Sequence, residues 1–320
     1  MPNRFFPNIP YPNPTDLDEK EKVGRYGEDY AARVLNKIPG VCYVRNPIIP
    51  HPRKPGLFNE TDFLAYHSGN LYCLEIKYYR GRIYYPPTYT TIWVKKGWFI
   101  FKRLVPQFVP SGYNYAQMVQ ESTDASGQRN TRAFPNPWKK TDEYIHNLKY
   151  YLQQAHPGLA QFPIYPILAF SHKADLSAVY RFDAGILYID EIAAFLDKYA
   201  NSAYARQPAP WIEDELRRLP TWDYVFTIDG KSFNGVLSEP ALRFKDAHRC
   251  EQVIPYRTIS ALEIQTKPYQ AIKITSIDGR TQTFNYKDGA VRLNRFKGEQ
   301  QIHSFDNIHQ VIVGVANRFR

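Results

Sequence analysis

Residues 61–79 read TDFLAYHSGNLYCLEIKYY, which is the pattern of two β-strands joined by a tight turn. The turn at Ser68-Gly69-Asn70 suits type II′ if its last two residues form the loop, and type I′ if its first two do. In either case, residues that face each other have numbers with an odd sum, which places Asp62 on the sheet face of Glu75 and Lys77. The hairpin is therefore predicted to gather two carboxylates and one ammonium group on one face.

Two carboxylates and a lysine suit the metal-dependent hydrolysis of a phosphodiester. The oxygens of Asp62 and Glu75 can hold a hard cation such as Mg²⁺ and leave room for water and a phosphate oxygen. The ammonium group of Lys77 can orient or help deprotonate the attacking water and offset charge on phosphorus. In the alternative interpretation, Glu75 and Lys77 form an ordinary surface ion pair worth about 0.2–1 kcal/mol. The short motif alone favours that alternative, so the rest of the chain has to decide.

The composition is that of a globular protein with an excess of positive charge. The 320 residues suffice for two domains, and hydrophobic residues make up 43% of them. The net charge of +10 permits a polyanionic partner. The three cysteines are too scattered for a disulfide framework or a zinc site, and no segment has the pattern of a signal peptide or a membrane span. These features predict a cytoplasmic protein.

Shifts in composition and periodicity predict four segments along the chain. They are an N-terminal arm at 1–14, an α/β domain at 15–200, a linker at 201–220 and a β-domain at 221–320. Apolar and polar residues alternate through the β-domain, which predicts an antiparallel barrel. A helix predicted over Ser304–Phe319 is expected to cap this barrel.

The α/β domain is predicted to begin with a helix from about Thr15 to Lys37. Glu28 is the only charge in a line of otherwise uncharged residues on that helix, so it is either a third acid of the site or a salt-bridged residue. The helix pattern favours the salt bridge. A strand is expected at Val41–Ile49, and Glu60, just before the hairpin, is a spare acid.

The stretch after the hairpin has a strongly biased composition, because no acidic residue occurs from Lys77 to Gln120. Its cations are interleaved with aromatic residues, as is usual where phosphates and unstacked bases of a nucleic acid are bound. The predicted nucleic-acid contacts in this stretch are Arg80, Arg82, Lys95, Lys96, Lys102 and Arg103. The alternative is a tyrosine-rich hairpin whose rings only pack. Residues 121–135 are polar and predict a mobile loop.

Taken together, these features resemble the nuclease-related domain, NERD, of the PD-(D/E)XK restriction-endonuclease-like superfamily. The resemblance runs from about Gly24 to Tyr199 and depends on the order and spacing of several short motifs. They are Gly-x-x-Gly-Glu ending at Glu28, the acid Asp62, Glu75-Ile76-Lys77 followed by Gly81, the helix start Asn136-Pro137, and the segments IYPILAF and YIDEIAAFL. Segments of the second half resemble, to a lesser extent, PH-like or GRAM-like barrels, which act as binding platforms.

The resemblance implies an α/β restriction-endonuclease-like core, with a mixed central sheet flanked by helices, and a Mg²⁺-dependent nuclease in which Mn²⁺ is an alternative. Asp62 and Glu75 would bind the metal, with the carbonyl of Ile76 as a further ligand. Lys77 would position the water, and Glu28 would complete or support the acidic cluster.

Two departures from the family pattern concern the substrate. Near the start of the helix after Asn136-Pro137, the family often carries a glutamine where this chain has Lys139 and Lys140. These lysines are expected to contact phosphate. An insertion at about 84–134 has no counterpart in short members of the family and is expected to gate or specify the substrate.

The sequence therefore predicts a metal-dependent nuclease that acts on DNA, in DNA processing or in defence against foreign DNA. One alternative is a non-catalytic nucleic-acid-binding module, although such a module has no need to keep Asp62 and Glu75 beside a phosphate. The other is an interaction protein whose C-terminal barrel recruits a protein partner, a membrane surface or a second copy of the chain.

Overall fold

The computed structural model describes residues 19–51, 58–96, 103–124, 126–201, 203, 210–266, 268–276, 278–294 and 300–314. The predicted N-terminal arm at 1–14 and most of the predicted linker before residue 210 lie outside these ranges. In the described part of the chain, no helix is both long and apolar enough to cross a membrane.

The described elements fall into a first half with helices and strands and a second half made of strands. The first half contains α1 (Glu19–Leu35), β1 (Cys42–Arg45), β2 (Ile48–Pro50), β3 (Phe58–Glu60), β4 (Phe63–His67), β5 (Asn70–Lys77), β6 (Gly81–Tyr84), β7 (Pro87–Lys96), β8 (Arg103–Tyr113), β9 (Gln117–Thr123), β10 (Arg129–Pro135), α2 (Pro137–Ala155), α3 (Pro157–Ala160), β11 (Ile164–Phe170), β12 (Ala174–Asp175), β13 (Ile186–Tyr188), α4 (Ile192–Lys198) and α5 (Pro210–Arg217). The second half contains β14 (Asp223–Thr227), β15 (Ser232–Leu237), β16 (Ala241–Asp246), β17 (Glu251–Pro255), β18 (Ile259–Gln265), β19 (Ala271–Ser276), β20 (Thr281–Asn294), β21 (Gln300–Ser304) and β22 (Ile308–Ile312).

The central sheet of the first half has the strand order β1-β4-β5-β11-β13. β4 and β5 form the predicted hairpin, in which His67 pairs with Asn70. Ser68 and Gly69 both have positive φ, at 43° and 85°, as the central residues of a type I′ turn require. The odd-sum register is therefore confirmed, and of the two predicted turns the type I′ alternative is the correct one.

Helices cover both faces of this sheet, as predicted for a mixed α/β core. β5 is buried along most of its length because β4 pairs with it antiparallel and β11 pairs with it parallel. Its even-numbered residue Leu74 packs with α1 and α4, whereas its odd-numbered residue Cys73 packs with α2 and α5. Glu75 is odd-numbered and therefore belongs to the face that α2 covers.

The single strand predicted at Val41–Ile49 is wrong, because β1 and β2 belong to different sheets. Asn46 lies between them with φ 49°, and its N–H donates to the carbonyl oxygen of Asp62 over 2.9 Å. A residue with positive φ cannot continue an extended strand, and no glycine in the sequence signals this break.

The described part of the insertion is built from strands. β7 and β8 pair with each other, and β9 and β10 join β6 and β12 in a sheet with the order β10-β9-β6-β12. The mobile loop predicted at 121–135 is therefore wrong over most of its length. β10 is exposed at every residue except Phe134, so its sequence lacks the alternation that would have indicated a strand.

The described residues of the second half form a nine-stranded antiparallel sheet, as the alternating pattern predicted. The long strand β20 pairs with β19 and β16 through its first part and with β15 and β21 through its second. Strand pairing consequently runs from β15 through β14, β22, β18, β19 and β20 and returns to β15.

The helix predicted over Ser304–Phe319 is wrong over its described part. β21 ends at Ser304, and β22 occupies Ile308–Ile312 between β14 and β18. Ile308, Val311 and Ile312 recur at helical spacing, but a short run rich in β-branched residues suits a buried strand equally well. Sheet pairing decides between the two.

The two halves contact each other where the second begins. α5 packs Ile212 and Leu216 against the cluster that contains Leu148 of α2. The N–H of Ile48 donates to the carbonyl oxygen of Pro220 over 2.8 Å, and Ile48 also packs in one buried cluster with Trp222. The described part of the predicted linker is thus anchored on the first half.

Candidate functional site

β5 ends with two charged side chains, Glu75 and Lys77, on the face that α2 covers. Nζ of Lys77 lies 2.6 Å from Oε1 of Glu75, and Nζ of Lys140 on α2 lies 3.4 Å from the same oxygen. The Glu75 side chain is 5% exposed, whereas that of Lys140 is 62% exposed. A buried carboxylate therefore contacts two ammonium groups, one of which reaches well into solvent.

These contacts fix the charge states of Glu75 and Lys77. Burial alone would raise the pKa of Glu75, but the positive charges of Lys77 and Lys140 outweigh it and lower the pKa overall. Burial alone would lower the pKa of Lys77, but the carboxylates of Glu75 and Asp62 outweigh it and raise the pKa overall. At neutral pH, Glu75 is a carboxylate and Lys77 is an ammonium group.

Asp62 lies just before β4 and faces Glu75 if the hairpin register is continued by one pair. Its Oδ2 accepts the N–H of Ile76 over 2.6 Å, and its main-chain carbonyl accepts the N–H of Asn46. Burial raises the pKa of Asp62 well above its ordinary value, and the charge of Glu75 raises it further, while Lys77 opposes the rise. Because the negative charges of Asp62 and Glu75 repel each other, a cation bound beside both carboxyl groups would be stabilised.

The donor set at this place fits Mg²⁺. Asp62 and Glu75 offer carboxylate oxygens, and Mg²⁺ in proteins is commonly held by one or two carboxylates while it keeps several waters. Within the described ranges, no three or more His, Cys, Asp or Glu residues are grouped so that they could share a metal ion. A site with two carboxylates leaves most of the metal coordination to water, main-chain oxygen and substrate.

The structure places Glu28 in an ion pair. Nη2 of Arg45 lies 3.2 Å from Oε2 of Glu28, and the same nitrogen lies 2.8 Å from Oδ1 of Asp29. Burial raises the pKa of Glu28, and Arg45 only partly offsets the rise. The charge of Glu28 also contributes to the raised pKa of Asp62, so Glu28 lies within electrostatic range of the hairpin acids.

Glu60, which the sequence marked only as a spare acid, also belongs to this neighbourhood. Nε1 of Trp222 donates to Oε1 of Glu60 over 2.8 Å. Burial raises the pKa of Glu60 to about 7 despite this hydrogen bond and the nearby charge of Lys140, and Glu75 adds to the rise. The partner could not be found from the sequence, because Trp222 belongs to the other half of the chain.

A cavity of about 620 Å³ opens beside Lys77. Among the residues that the structure describes, the wall contains four basic residues and no carboxylate. The described lining is Val23, Gly24, Ile76, Lys77, Tyr78, Tyr79, Arg80, Gln120, Arg132 and Lys173. A cationic cleft next to two acids can take a phosphodiester backbone along its basic wall while one phosphate reaches the acids.

Two of the predicted nucleic-acid contacts lie at this site, since Arg80 lines the cleft and Lys140 contacts Glu75. Arg82 and Lys139 are exposed nearby in the chain, on β6 and α2. The remaining four, Lys95, Lys96, Lys102 and Arg103, have side chains outside the described part of the structure.

Two cations of the cleft wall, Arg132 and Lys173, are not among the contacts predicted from the sequence. Lys173 follows β11, and its Nζ lies 5.5 Å from the ring centroid of Tyr78. Arg132 lies on β10, paired with Gln120 of β9. Both reach the cleft because their segments are brought to β6: β9, the hairpin partner of β10, pairs with β6, and so does β12, which begins directly after Lys173. These pairings join distant segments, for which the sequence contains no local signal.

Residues 23–171 match the family model of NERD, the nuclease-related domain. The matched segment contains Glu28, Asp62, Glu75, Lys77 and Lys140. No curated protein and no solved structure matches the chain. The resemblance drawn from the motifs is thus confirmed for this segment.

Proposed function

We propose that the protein is a metal-dependent nuclease that hydrolyses phosphodiester bonds of DNA, because residues 23–171 match the family model of the nuclease-related domain. The observation that carries this proposal is the convergence of Asp62, Glu75 and Lys77 beside a cleft lined by cations. The two acids offer ligands for a cation, and the cleft offers contacts for a phosphate backbone. DNA processing and defence against foreign DNA are the proposed settings.

The proposed cofactor is Mg²⁺, with Mn²⁺ as a substitute, held by Asp62, Glu75 and the main-chain carbonyl of Ile76. When bound, such an ion supplies a Lewis acid that polarises a phosphate oxygen and lowers the pKa of a coordinated water. The chain fixes its own ligands in advance, because the N–H of Ile76 holds Oδ2 of Asp62 and Lys77 holds Oε1 of Glu75. Ligands fixed in this way need little reorganisation during the reaction.

Lys77 acts in this proposal as a cation and not as a base. Since the carboxylates beside it raise its pKa, its ammonium group keeps its proton at neutral pH. It can donate to the attacking water and to a phosphate oxygen, and so offset the negative charge that develops on phosphorus. The proton of the water then passes to solvent or to a phosphate oxygen, the bond from phosphorus to the leaving oxygen breaks, and that oxygen takes a proton from solvent.

Lys140 adds a second positive charge from α2. Its Nζ contacts Glu75 while most of its side chain reaches solvent, so it is placed to touch both the acid and a substrate phosphate. In the proposed enzyme it takes over phosphate contact at the helix start where the family often carries glutamine.

The second half is proposed to be a PH-like barrel that serves as a binding platform for a protein partner or a second copy of the chain. The return of strand pairing from β20 to β15 supports this proposal.

A second candidate function is a nucleic-acid-binding module without catalysis. The observation that favours it is that Glu75 already contacts Lys77 and Lys140, as in a purely structural ion cluster. It predicts binding that weakens steeply with salt and no cleavage with any divalent cation.

The experiment that separates the two is incubation of the purified protein with linear, circular and single-stranded DNA in Mg²⁺, Mn²⁺ or EDTA. Cleavage that EDTA abolishes is expected for the nuclease. Salt-sensitive binding without product in every metal would leave the binding module as the correct function.

A further inference from the structure

β7 and β8 form a two-stranded arm within the insertion. They pair from Pro87 and Tyr113 at the base to Lys96 and Arg103 at the far end, and in the described ranges neither strand pairs with another sheet. An isolated two-stranded hairpin has little burial of its own to stabilise it. We therefore expect the exposed side chains of the arm to bind a partner.

One face of this arm carries a row of exposed aromatic rings. Trp93 pairs with Pro106 and Thr91 with Phe108, so odd-numbered residues of β7 share a face with even-numbered residues of β8. A register shift near the base brings Tyr113 opposite Pro87 and onto the same face. The aromatic residues of this face are 59–72% exposed and comprise Tyr89, Trp93, Phe108 and Tyr113. An aromatic surface of this extent marks an interaction site.

The positive charge of the arm favours a polyanion as its partner. The sequence of the arm and its tip (87–113) contains no acid and four cations, Lys95, Lys96, Lys102 and Arg103, and the flanking stretches back to Lys77 and on to Gln120 add Arg80 and Arg82 and no acid. A second copy of the chain would bring the same acid-free segment against itself, and opposed like charges are unfavourable. Addition of a further strand to β8 is hindered because Pro106 and Pro110 have no N–H to donate.

The base of the arm is continuous with the candidate site. β9, which follows the arm, carries Gln120 of the cleft wall. Nδ2 of Asn136 donates to the carbonyl oxygen of Tyr115 over 2.9 Å, and Oδ1 of the same Asn136 caps α2 by accepting the N–H of Trp138. Since α2 carries Lys140, the arm is tied to the helix that contacts Glu75.

We propose that this arm binds an unpaired stretch of the DNA substrate, with bases stacked on Tyr89, Trp93, Phe108 and Tyr113. Because Tyr113 pairs with Pro87 and Phe108 with Thr91, the four rings lie at the levels of residues 87, 89, 91 and 93 of β7, so successive levels are about 6.6–6.8 Å apart along the arm. This spacing is about twice the thickness of a stacked base, so an aromatic ring can lie between successive bases of an extended strand. The cations of the same segment neutralise the phosphates. The inference rests on the proposed nuclease function and assigns the form of DNA that the arm holds.

The test is equilibrium binding of the full-length protein to fluorescent oligodeoxythymidylate and to a duplex of the same length, in EDTA so that no cleavage intervenes. Trp93→Ala and Phe108→Ala are each expected to weaken binding of the single strand about tenfold and binding of the duplex less than twofold. Trp93→Phe keeps a ring and should retain most of the affinity. Thr90→Ala and Gln107→Ala, at exposed positions of the opposite face, serve as matched controls and should change neither affinity.

Equal weakening on both probes, or unchanged single-strand binding in Trp93→Ala and Phe108→Ala, would overturn the inference. A dimer of the unaltered protein that becomes a monomer in Trp93→Ala would instead assign the face to a second copy. The proposed nuclease function is tested separately by cleavage in Mg²⁺. A protein that does not cleave DNA but still needs the aromatic rings for single-strand binding would refute the nuclease function and support the proposed role of the arm.

Discussion

The indole N–H of Trp222 donates to the Glu60 carboxyl over 2.8 Å and joins the second half of the chain to the strand that leads into Asp62. Burial raises the pKa of Glu60 from 4.5 to about 7, so Glu60 keeps its proton to a higher pH in the folded protein than in the unfolded chain. The hydrogen bond therefore couples the junction of the two halves to the acidic neighbourhood of the candidate site.

Glu60→Gln is expected to make stability less dependent on pH. Between pH 4.5 and 7 the folded protein binds more protons at Glu60 than the unfolded chain does, so stability falls as pH rises through this window. Glutamine can still accept the hydrogen bond from Trp222, but it does not titrate, so the loss of stability with rising pH disappears. The variant should match the unaltered protein at pH 4.5 and gain at most about 3 kcal/mol at pH 8.

Urea unfolding in EDTA at both pH values measures this difference. Glu263→Gln is the matched control, because Glu263 is exposed and pairs with Lys273 on the surface. A difference between Glu60→Gln and the unaltered protein that is the same at pH 4.5 and pH 8 would show that Glu60 does not titrate as described.

Lys140 is expected to matter more for cleavage than its neighbour Lys139. Lys140 contacts Glu75 and helps to lower its pKa, whereas the exposed Lys139 has no such contact in the described structure. Lys140→Ala should reduce the rate about 10- to 100-fold, and Lys140→Gln, which still donates to Glu75, should lose less. The comparison is made with Lys139→Ala in single-turnover cleavage assays, and equal losses in Lys139→Ala and Lys140→Ala would contradict the assigned role.

Gly81 is expected to be irreplaceable for a local reason. Its φ is 82°, and a Cβ there would lie 2.2 Å from the carbonyl oxygen of Glu121 and 2.9 Å from Cα of Ser122. Gly81→Ala should cost about 1–3 kcal/mol and loosen β6 from β9.

Thermal unfolding and limited proteolysis of the insertion measure the effect of Gly81→Ala. Gly24→Ala is the control, because this helical glycine has no atom within 4 Å of the new Cβ and should gain up to about 1 kcal/mol. Unfolding midpoints that fall by the same amount in both variants would rule out the steric explanation.

The features predicted correctly from sequence are those set by local rules. The Ser68-Gly69 turn and the alternation of its strands fix the register that brings Asp62 opposite Glu75, and the sequence contains both. The errors arose where distant pairing decides the structure. Sheet neighbours turn Ile308–Ile312 into a strand, although its apolar spacing also fits a helix.

The parts of the candidate site that were missed have the same origin. Arg132 enters the cleft wall because β9, the hairpin partner of β10, pairs with the distant β6, and Trp222 reaches Glu60 across the two halves. Neither contact has a motif of its own, because each joins residues that are remote in the sequence.

The most direct test of the proposed function is cleavage of linear DNA in Mg²⁺ by Glu75→Gln and Lys77→Ala, each compared with Lys139→Ala and with the unaltered protein. Both site variants should fold normally by circular dichroism and lose at least about 100-fold in rate, because each removes a charged group from the proposed centre. Lys139→Ala removes only an exposed, predicted phosphate contact and should lose far less, at most about fivefold. Undiminished Mg²⁺-dependent cleavage by either site variant would contradict the assignment of the centre to Asp62, Glu75 and Lys77.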